Sequence, residues 1–392
     1  MIWFISIVFC TTLTFLVLLE FYLKKFTAYG LAKSIQGPHM YPFIGAIDFL
    51  YSPQHKTFEI AKQYTQKFAN GFFYWSFGFS VYCVYSAEGL EKILTNSKHM
   101  EKSLTYKILH NLLGFGLLTS SGDKWFKRRK LLTPAFHFNI LNGFQRTFNE
   151  NTALLIAAIR EKEMNRPGGT HLQQLISRFT LNTICESAMG VKISKIDELD
   201  DYRRQINRIG KIHVERMTVP WYFVDWIYRI FGNQKLEKTY IRKAHAFTRN
   251  VIEIKRKSFN ADQDRSEMIS IADEEDIIIK TVCMLDTLLL AERNGGQIDA
   301  NGIQEEVDNF VFEGFDTTMT AITFILLVIA NHCDEQGKLY EEISSVTNEK
   351  DYNNLKYLDA VIKECMRLYP PVPFISRVLG EETEIGKTLL LY

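Results

Sequence analysis

Glu313-Gly314-Phe315-Asp316-Thr317-Thr318 sets two carboxyls, two hydroxyls and a glycine inside what otherwise reads as one apolar helix, Asn301 to Ala330. A helix of that length spans about 45 Å, enough to cross a domain. Polar groups in the middle of a core helix are costly unless they are used. Gly314 lets a bulky group lie against the backbone. Thr317 follows Glu313 by four residues, so its hydroxyl is placed to donate to the Glu313 carbonyl. A turn opened in that way holds a water or a small diatomic ligand. Asp316 beside Thr317 then supplies an acid–alcohol pair for moving protons. The plainer reading is a polar helix face satisfied by its neighbours. Helical spacing carries the core stripe through Val307, Val311, Gly314, Thr318, Ala321 or Ile322, and Ile325.

Two further constellations could do chemistry. Trp125 and Arg129 are four apart within Gly122 to Phe136, so an indole N–H and a guanidinium share a helix face. That is a clamp for an anion, set against the plain reading of a solvated basic face. Glu364 and Arg367 are three apart on a helix stopped by Pro370-Pro371. Alone they are a surface ion pair worth about 0.5 kcal/mol. Their flanks are apolar: Leu358, Val361, Ile362, Cys365 and Leu368 precede Val372-Pro373-Phe374-Ile375, which leads to Arg377.

The elements that must position these residues are mostly helices. Phe72 to Tyr85 reads as a small hairpin broken at Gly78. Helical segments follow over Ser86–Leu94, Asp123–Leu132, Asn139–Lys162, Leu172–Met189, Asp197–Val214, Lys235–Lys257 and Ile277–Arg293, with Asn301 and Gln304 as a capping pair for the long helix. Lys257 to Asp276 reads as a polar loop. The class is mainly α with a minor β-sheet, without βαβ alternation. A chain of 392 residues, 46% hydrophobic and with net charge +1, suits a large core and gives no electrostatic case for nucleic acid. Six scattered cysteines form no CxxC pair, which argues against a disulfide framework and fits a reducing compartment. Ile2 to Leu19 is free of charge, and Lys24-Lys25 follow it. That predicts a transmembrane signal anchor over residues 1–23, a linker over 24–45 and a cytosol-facing domain over 46–392. A cleaved signal peptide is the rival; its basic n-region and small-x-small site are missing.

Taken in order behind the anchor, Trp125-x-x-x-Arg129, the Glu-Gly-x-Asp-Thr-Thr helix and Glu364-x-x-Arg367 before Pro-Pro resemble the microsomal haem-thiolate monooxygenases, the cytochrome P-450 superfamily. The resemblance is closer to the fatty-acid ω-hydroxylase branch. Glu313 stands where other branches have Ala, Leu131 to Ile140 matches that branch after the Trp-x-x-x-Arg helix, and Glu305 to Phe312 leads into the motif as it does there.

The resemblance implies the cytochrome P-450 fold and a haem b cofactor. Trp125 and Arg129 would hold one propionate and Arg377 the other side. The helix around Gly314 would cross the distal face, and Asp316 and Thr317 would be the catalytic proton-handling pair. Glu364 and Arg367 would be structural, bracing the proximal core. Glu313 would be the residue esterified to a haem methyl where that link forms. Phe374 and Leu104 to Leu118 would line a channel for a fatty-acid-like or other lipophilic substrate. The implied partners are O2, an NADPH-dependent reductase docked on Lys127, Arg128 and Lys130, and cytochrome b5; the implied location is the endoplasmic reticulum membrane. Phe315 departs from the branch's usual His, and its side chain is expected to point away from the haem. The family's Phe-x-x-Gly-x-x-x-Cys-x-Gly loop is not found before Tyr392, and no cysteine present has its context. A partial sequence of a monooxygenase, lacking the iron-ligating cysteine, is therefore expected. The rival is a catalytically dead, membrane-anchored helical relative. A hydrolase using Glu313 and Asp316 is disfavoured, because no nucleophile–His pair accompanies them.

Overall fold

The computed structural model describes residues 2–26, 35–41, 45–48, 56–76, 79–162, 171–193, 195–269, 283–295, 298–346, 352, 354–385 and 388–390. In chain order the helices are α1 (Ile2–Phe26), α2 (Thr57–Lys67), α3 (Ala87–Thr95), α4 (His110–Leu113), α5 (Gly122–Leu132), α6 (Phe138–Gly143), α7 (Gln145–Lys162), α8 (Leu172–Ser187), α9 (Ile196–Thr218), α10 (Asp225–Phe231), α11 (Gln234–Ile269), α12 (Met284–Arg293), α13 (Ala300–Ala330), α14 (Cys333–Ser344) and α15 (Lys356–Leu368). Two antiparallel hairpins complete the described elements: β1 (Gly71–Ser76) with β2 (Phe79–Val84), and β3 (Thr383–Ile385) with β4 (Thr388–Leu390). Mainly α with a minor sheet is thus what the chain forms. The chain divides into two compact units.

The first unit holds residues 1–108, 210–235 and 377–392. The expected hairpin forms with Gly71 opposite Val84 and Ser76 opposite Phe79. Phe72, Phe73 and Trp75 of β1 are buried, and Tyr64 of α2 meets the Phe72 ring edge-on at 5.3 Å. The segment read as a linker is tied to this hairpin: the Phe73 N–H donates to the Gln36 carbonyl and the Ala46 N–H to the Trp75 carbonyl. Buried His99 accepts from the Gly380 N–H at Nδ1 and lies 2.9 Å from the Thr383 hydroxyl at Nε2. That contact anchors the segment that leads into β3.

The second unit holds residues 109–209 and 236–376 and is built around α13. Ile303, Val307, Val311, Phe315 and Met319 recur every fourth residue and are all buried, the first four completely. They pack into one core with Leu181 and Cys185 of α8, Tyr202 and Ile206 of α9, Val251 of α11, and Leu285 and Leu288 of α12. Sequence spacing carried the stripe through Gly314 and Thr318. The structure carries it through Phe315 and Met319 and leaves Thr318 exposed. A large ring gains more from the core than a hydroxyl does, so the helix rotates its Phe inward. The cap also differs from expectation: Asp299 accepts from the Gly302 N–H at 2.8 Å, and Asn301 lies inside the helix. Asp is free to take the extended backbone of an N-cap there.

Two other boundaries moved. The predicted Asn139–Lys162 helix breaks at Phe144 into α6 and α7. α11 runs on through Ile269, taking most of the segment read as a polar loop; the rest of it, and the expected start of the next helix, lie outside the described residues. α8 and α9 are joined by Arg178, which donates two hydrogen bonds to Asp200, from Nε at 2.7 Å and from Nη2 at 2.5 Å. Arg178 holds the Asp200 carboxyl below its ordinary range. A depressed folded pKa contributes stability that is present above the unfolded value and lost as pH falls through the folded one. Asp200→Asn is therefore expected to cost about 1–2 kcal/mol at neutral pH, with the difference from the parent vanishing in acid, read from chemical denaturation across pH.

Candidate haem-facing site

α8 crosses α13 at the motif itself. A Cβ built on Gly314 would stand 2.6 Å from Cδ1 of Ile184, so the missing side chain is what lets Ile184 lie on the α13 backbone. The Thr180 hydroxyl of α8 donates to the Phe315 carbonyl at 3.1 Å. The expected bond within the helix is also present: the Thr317 hydroxyl donates to the Glu313 carbonyl at 2.6 Å. Two carbonyls within one turn of the motif are thus capped by threonines, one from within the helix and one from its neighbour. Such bonds compete with the helix ladder and loosen it locally.

Phe315 points into the core and meets Tyr202 edge-on at 5.9 Å. Glu313, Asp316 and Thr317 are half-buried. Burial pushes the Asp316 carboxyl up from its ordinary range. A carboxyl that keeps its proton more readily is suited to passing one on.

Trp125 and Arg129 lie on α5, Trp125 half-buried and Arg129 exposed. α5 is held to the N-terminal half of α13 by charge and by rings. Lys124 Nζ is 2.8 Å from Glu305 Oε2, Arg128 Nη2 is 3.8 Å from the same oxygen, and Arg128 Nε is 3.7 Å from Glu306 Oε1. Just past α5, Phe136 stacks on Phe310 at 5.2 Å, one turn before Glu313. The sequence reading offered Lys127, Arg128 and Lys130 together as a docking face. Lys127 and Lys130 are exposed, but Arg128 is turned inward onto the Gly302 backbone and the two glutamates. Arg128 is therefore withdrawn as a surface cation, because its charge is spent on a buried carboxylate.

Glu364 Oε2 and Oε1 accept from Arg367 Nε and Nη2, each at 2.7 Å, and the pair stands exposed on α15. Phe374 is exposed with its neighbours Val372 and Ile375. Arg377 belongs to the first unit, where its backbone bridges to Lys102. Trp125, Arg129, Glu313, Gly314, Asp316, Thr317, Glu364, Arg367 and Phe374 all belong to the second unit. Glu305, Glu306 and Asn309 were not singled out from the sequence, although two carboxylates opening an apolar helix opposite a Lys-x-x-x-Arg face carried the signal.

The cytochrome P450 family model matches residues 35–391. The "Probable cytochrome P450 4ac1" of Drosophila melanogaster is 36% identical over 347 residues, covering 87% of this chain and 66% of that protein. The "Probable cytochrome P450 4ac2" of the same organism is 38% identical, covering 79% of this chain and 60% of that protein. The cytochrome P450 4V2 of Rattus norvegicus is 35% identical, covering 88% and 67%. A mainly helical domain with a polar interruption in its central helix is thus matched over nearly its whole length by one class, the cytochromes P450, and the chain belongs to that family. Within it, the relatives place the chain in the family 4 branch, the branch of the fatty-acid hydroxylases. The chain spans about two thirds of the length of these relatives, or slightly less.

The family implies haem, and the residues fit that group in part. An indole N–H and a guanidinium on one face of α5 suit a propionate. No cysteine among the described residues is shown poised as an axial thiolate. Burial pushes Cys83 up to about 11 and Cys185 and Cys283 up to about 12, and raises Cys365 as well. Cys10 and Cys333 are exposed, and no cluster of three or more His, Cys, Asp or Glu that could hold a metal occurs among the described residues.

Proposed function

We propose that this chain supplies the distal and propionate-binding parts of a haem-dependent monooxygenase that inserts one oxygen atom of O2 into C–H bonds of fatty-acid-like or other lipophilic substrates. One observation carries the reading: α5, bearing Trp125 and Arg129, is pinned along the helix that bears Glu313 to Thr317. When bound, the haem supplies the oxygen-activating chemistry. Trp125 and Arg129 would orient it through a propionate, with Arg377 as a further propionate donor. Asp316 and Thr317 would hold and pass protons at the distal face. Glu313 would be the attachment point of a haem ester. Phe374 would face the substrate, and Glu364 with Arg367 would brace the fold. Electrons would come from NADPH through a reductase, with cytochrome b5 as a second donor, and the exposed Lys127 and Lys130 are the cations left to dock it.

Membrane attachment at the endoplasmic reticulum is part of the same reading. α1 is apolar and exposed, and it ends in Lys24-Lys25. The first unit also exposes the apolar side chains Trp221, Trp226, Ile230 and Phe231. Among the described residues α13 is the one helix long and apolar enough to cross a membrane, while Ser6–Tyr22 of α1 is a shorter apolar stretch; the N-terminal half of α13 is core.

The test is titration of the chain with hemin, followed by visible absorption. A saturable Soret band is expected, weakened about tenfold in affinity by Trp125→Phe with Arg129→Gln. No band in the parent, or equal binding by the double variant, overturns the reading and favours a haem-free helical relative. Acid-organic extraction after the haem-loaded protein has been treated with hydrogen peroxide, the two-electron oxidant that joining a carboxylate to a haem methyl requires, tests the ester: haem retained by the parent and released by Glu313→Ala is expected.

A further inference from the structure

The loop between α4 and α5 lies on α13 more closely than packing alone requires. A Cβ on Gly116 would stand 2.3 Å from Nδ2 of Asn309, and Gly114, at φ +58, would place one 2.8 Å from Cγ of Glu305. Both glycines are needed, one for contact and one also for its backbone angle. Three α13 side chains use that closeness. Glu305 Oε1 accepts from the Phe115 N–H at 3.1 Å, Glu306 Oε2 from the Leu117 N–H at 3.0 Å, and Asn309 Oδ1 from the Leu118 N–H at 3.3 Å. Asn309 Nδ2 also donates to the Leu113 carbonyl at 2.7 Å. The loop closes on itself through the Thr119 hydroxyl, which donates to the Gly114 carbonyl at 2.8 Å. The same two glutamates take Lys124 and Arg128 from α5. Glu306 and Asn309 are both completely buried.

We propose that Glu305, Glu306 and Asn309 form a clamp that fixes the 113–120 loop and α5 against α13, and so sets where Trp125 and Arg129 stand relative to Glu313–Thr317. They are positioning residues, and their bearing on haem rests on the function proposed above. The clamp is also sensitive to protons. Burial pushes Glu306 up to about 7, opposed by the Leu117 N–H and by Arg128. The charged groups acting on it are Arg128 and Lys124 of α5 and Glu305 of its own helix; the loop contributes only backbone N–H. Glu306 Oε1 and Arg128 Nη1 have no hydrogen-bond partner among the described residues, so the ion pair is loose enough for the carboxyl to take a proton. Opening the clamp returns Glu306 to solvent and to its lower, ordinary range, so the closed clamp is favoured while the carboxyl holds its proton and slackens as pH rises through about 7.

Amide hydrogen exchange across pH on the full chain tests this. In the parent, protection of residues 114–121 and 122–132, corrected for intrinsic exchange, should fall about tenfold as pH rises through about 7. Glu306→Gln should abolish that fall while α8 stays protected. Gly116→Ala should strip protection from the loop at every pH, again sparing α8. A flat profile in the parent, or a fall that survives Glu306→Gln, overturns the clamp. Hemin titration of the same samples reads the other question. Absent binding with an intact exchange step defeats the monooxygenase reading and not the clamp. Equal hemin affinity in parent and Glu306→Gln above pH about 7 would falsify the link from clamp to site.

Discussion

Phe315→Ala is expected to destabilise the second unit by about 3–5 kcal/mol. The ring is completely buried and borders Tyr202 of α9 and the crossing of α8 at Gly314. Removing it opens a cavity at the meeting point of three helices, and the Thr180–Phe315 backbone bond prevents easy collapse. Thermal unfolding followed by circular dichroism should show a midpoint lowered by several degrees. Phe315→Leu should recover more than half of the loss, since it restores most of the apolar volume. Phe315→His puts a ring of similar breadth but polar character into the same space. It should be nearly as damaging as Ala, unless Tyr202 or Thr180 offers it a partner. A midpoint unchanged in Phe315→Ala would place the ring outside the core.

Arg128→Ala should be comparably severe, with a pH dependence that Phe315→Ala lacks. Arg128 is almost fully buried, and Glu306 completely so. Removing the cation leaves a carboxylate inside the fold beside Glu305 with only Lys124 to offset it, a loss of about 3–5 kcal/mol. The sign follows from Glu306. Its folded pKa, about 7, lies above its unfolded value, so protonation favours the folded state and stability falls as pH rises from the unfolded toward the folded value. Arg128 lowers that pKa, so its removal raises it further. The difference between variant and parent should therefore be largest above pH about 8 and shrink in mild acid, where Glu306 is neutral in both. Arg128→Met with Glu306→Gln should recover most of the stability at high pH, because no uncompensated charge remains. Equal losses at both pH extremes would assign the effect to lost packing of the arginine stem.

The elements were legible where pattern is local. The β1–β2 pairing was legible from local alternation, and Ser86 caps α3 through the Gly89 N–H as its residue type suggests. The Thr317 back-bond and the Glu364–Arg367 pair are four and three residues apart, and helix geometry alone brings them together. Asp299 was missed as the cap because two polar residues compete there, and the winner depends on where the preceding chain arrives. The α13 stripe was displaced by one residue because Phe315 and Thr318 both fit a helical period; the choice fell to the neighbours that bury the ring.

Sequence by itself determined that a long apolar helix carries a polar interruption, that a Trp-x-x-x-Arg face precedes it and that Glu-x-x-Arg follows. Those are statements about spacing along one helix, and backbone geometry fixes their meaning. Tertiary structure alone decided what touches the interruption. Gly314 makes room for Ile184, the Phe315 carbonyl takes Thr180, and Glu305, Glu306 and Asn309 reach a loop nearly 200 residues away in the chain. Contacts of that separation depend on how helices cross, and crossing is set by the summed packing of side chains that no local pattern encodes. Glu313–Thr318 was recognisable as a costly feature from the first reading; the folded chain shows that it sits where α8 crosses α13.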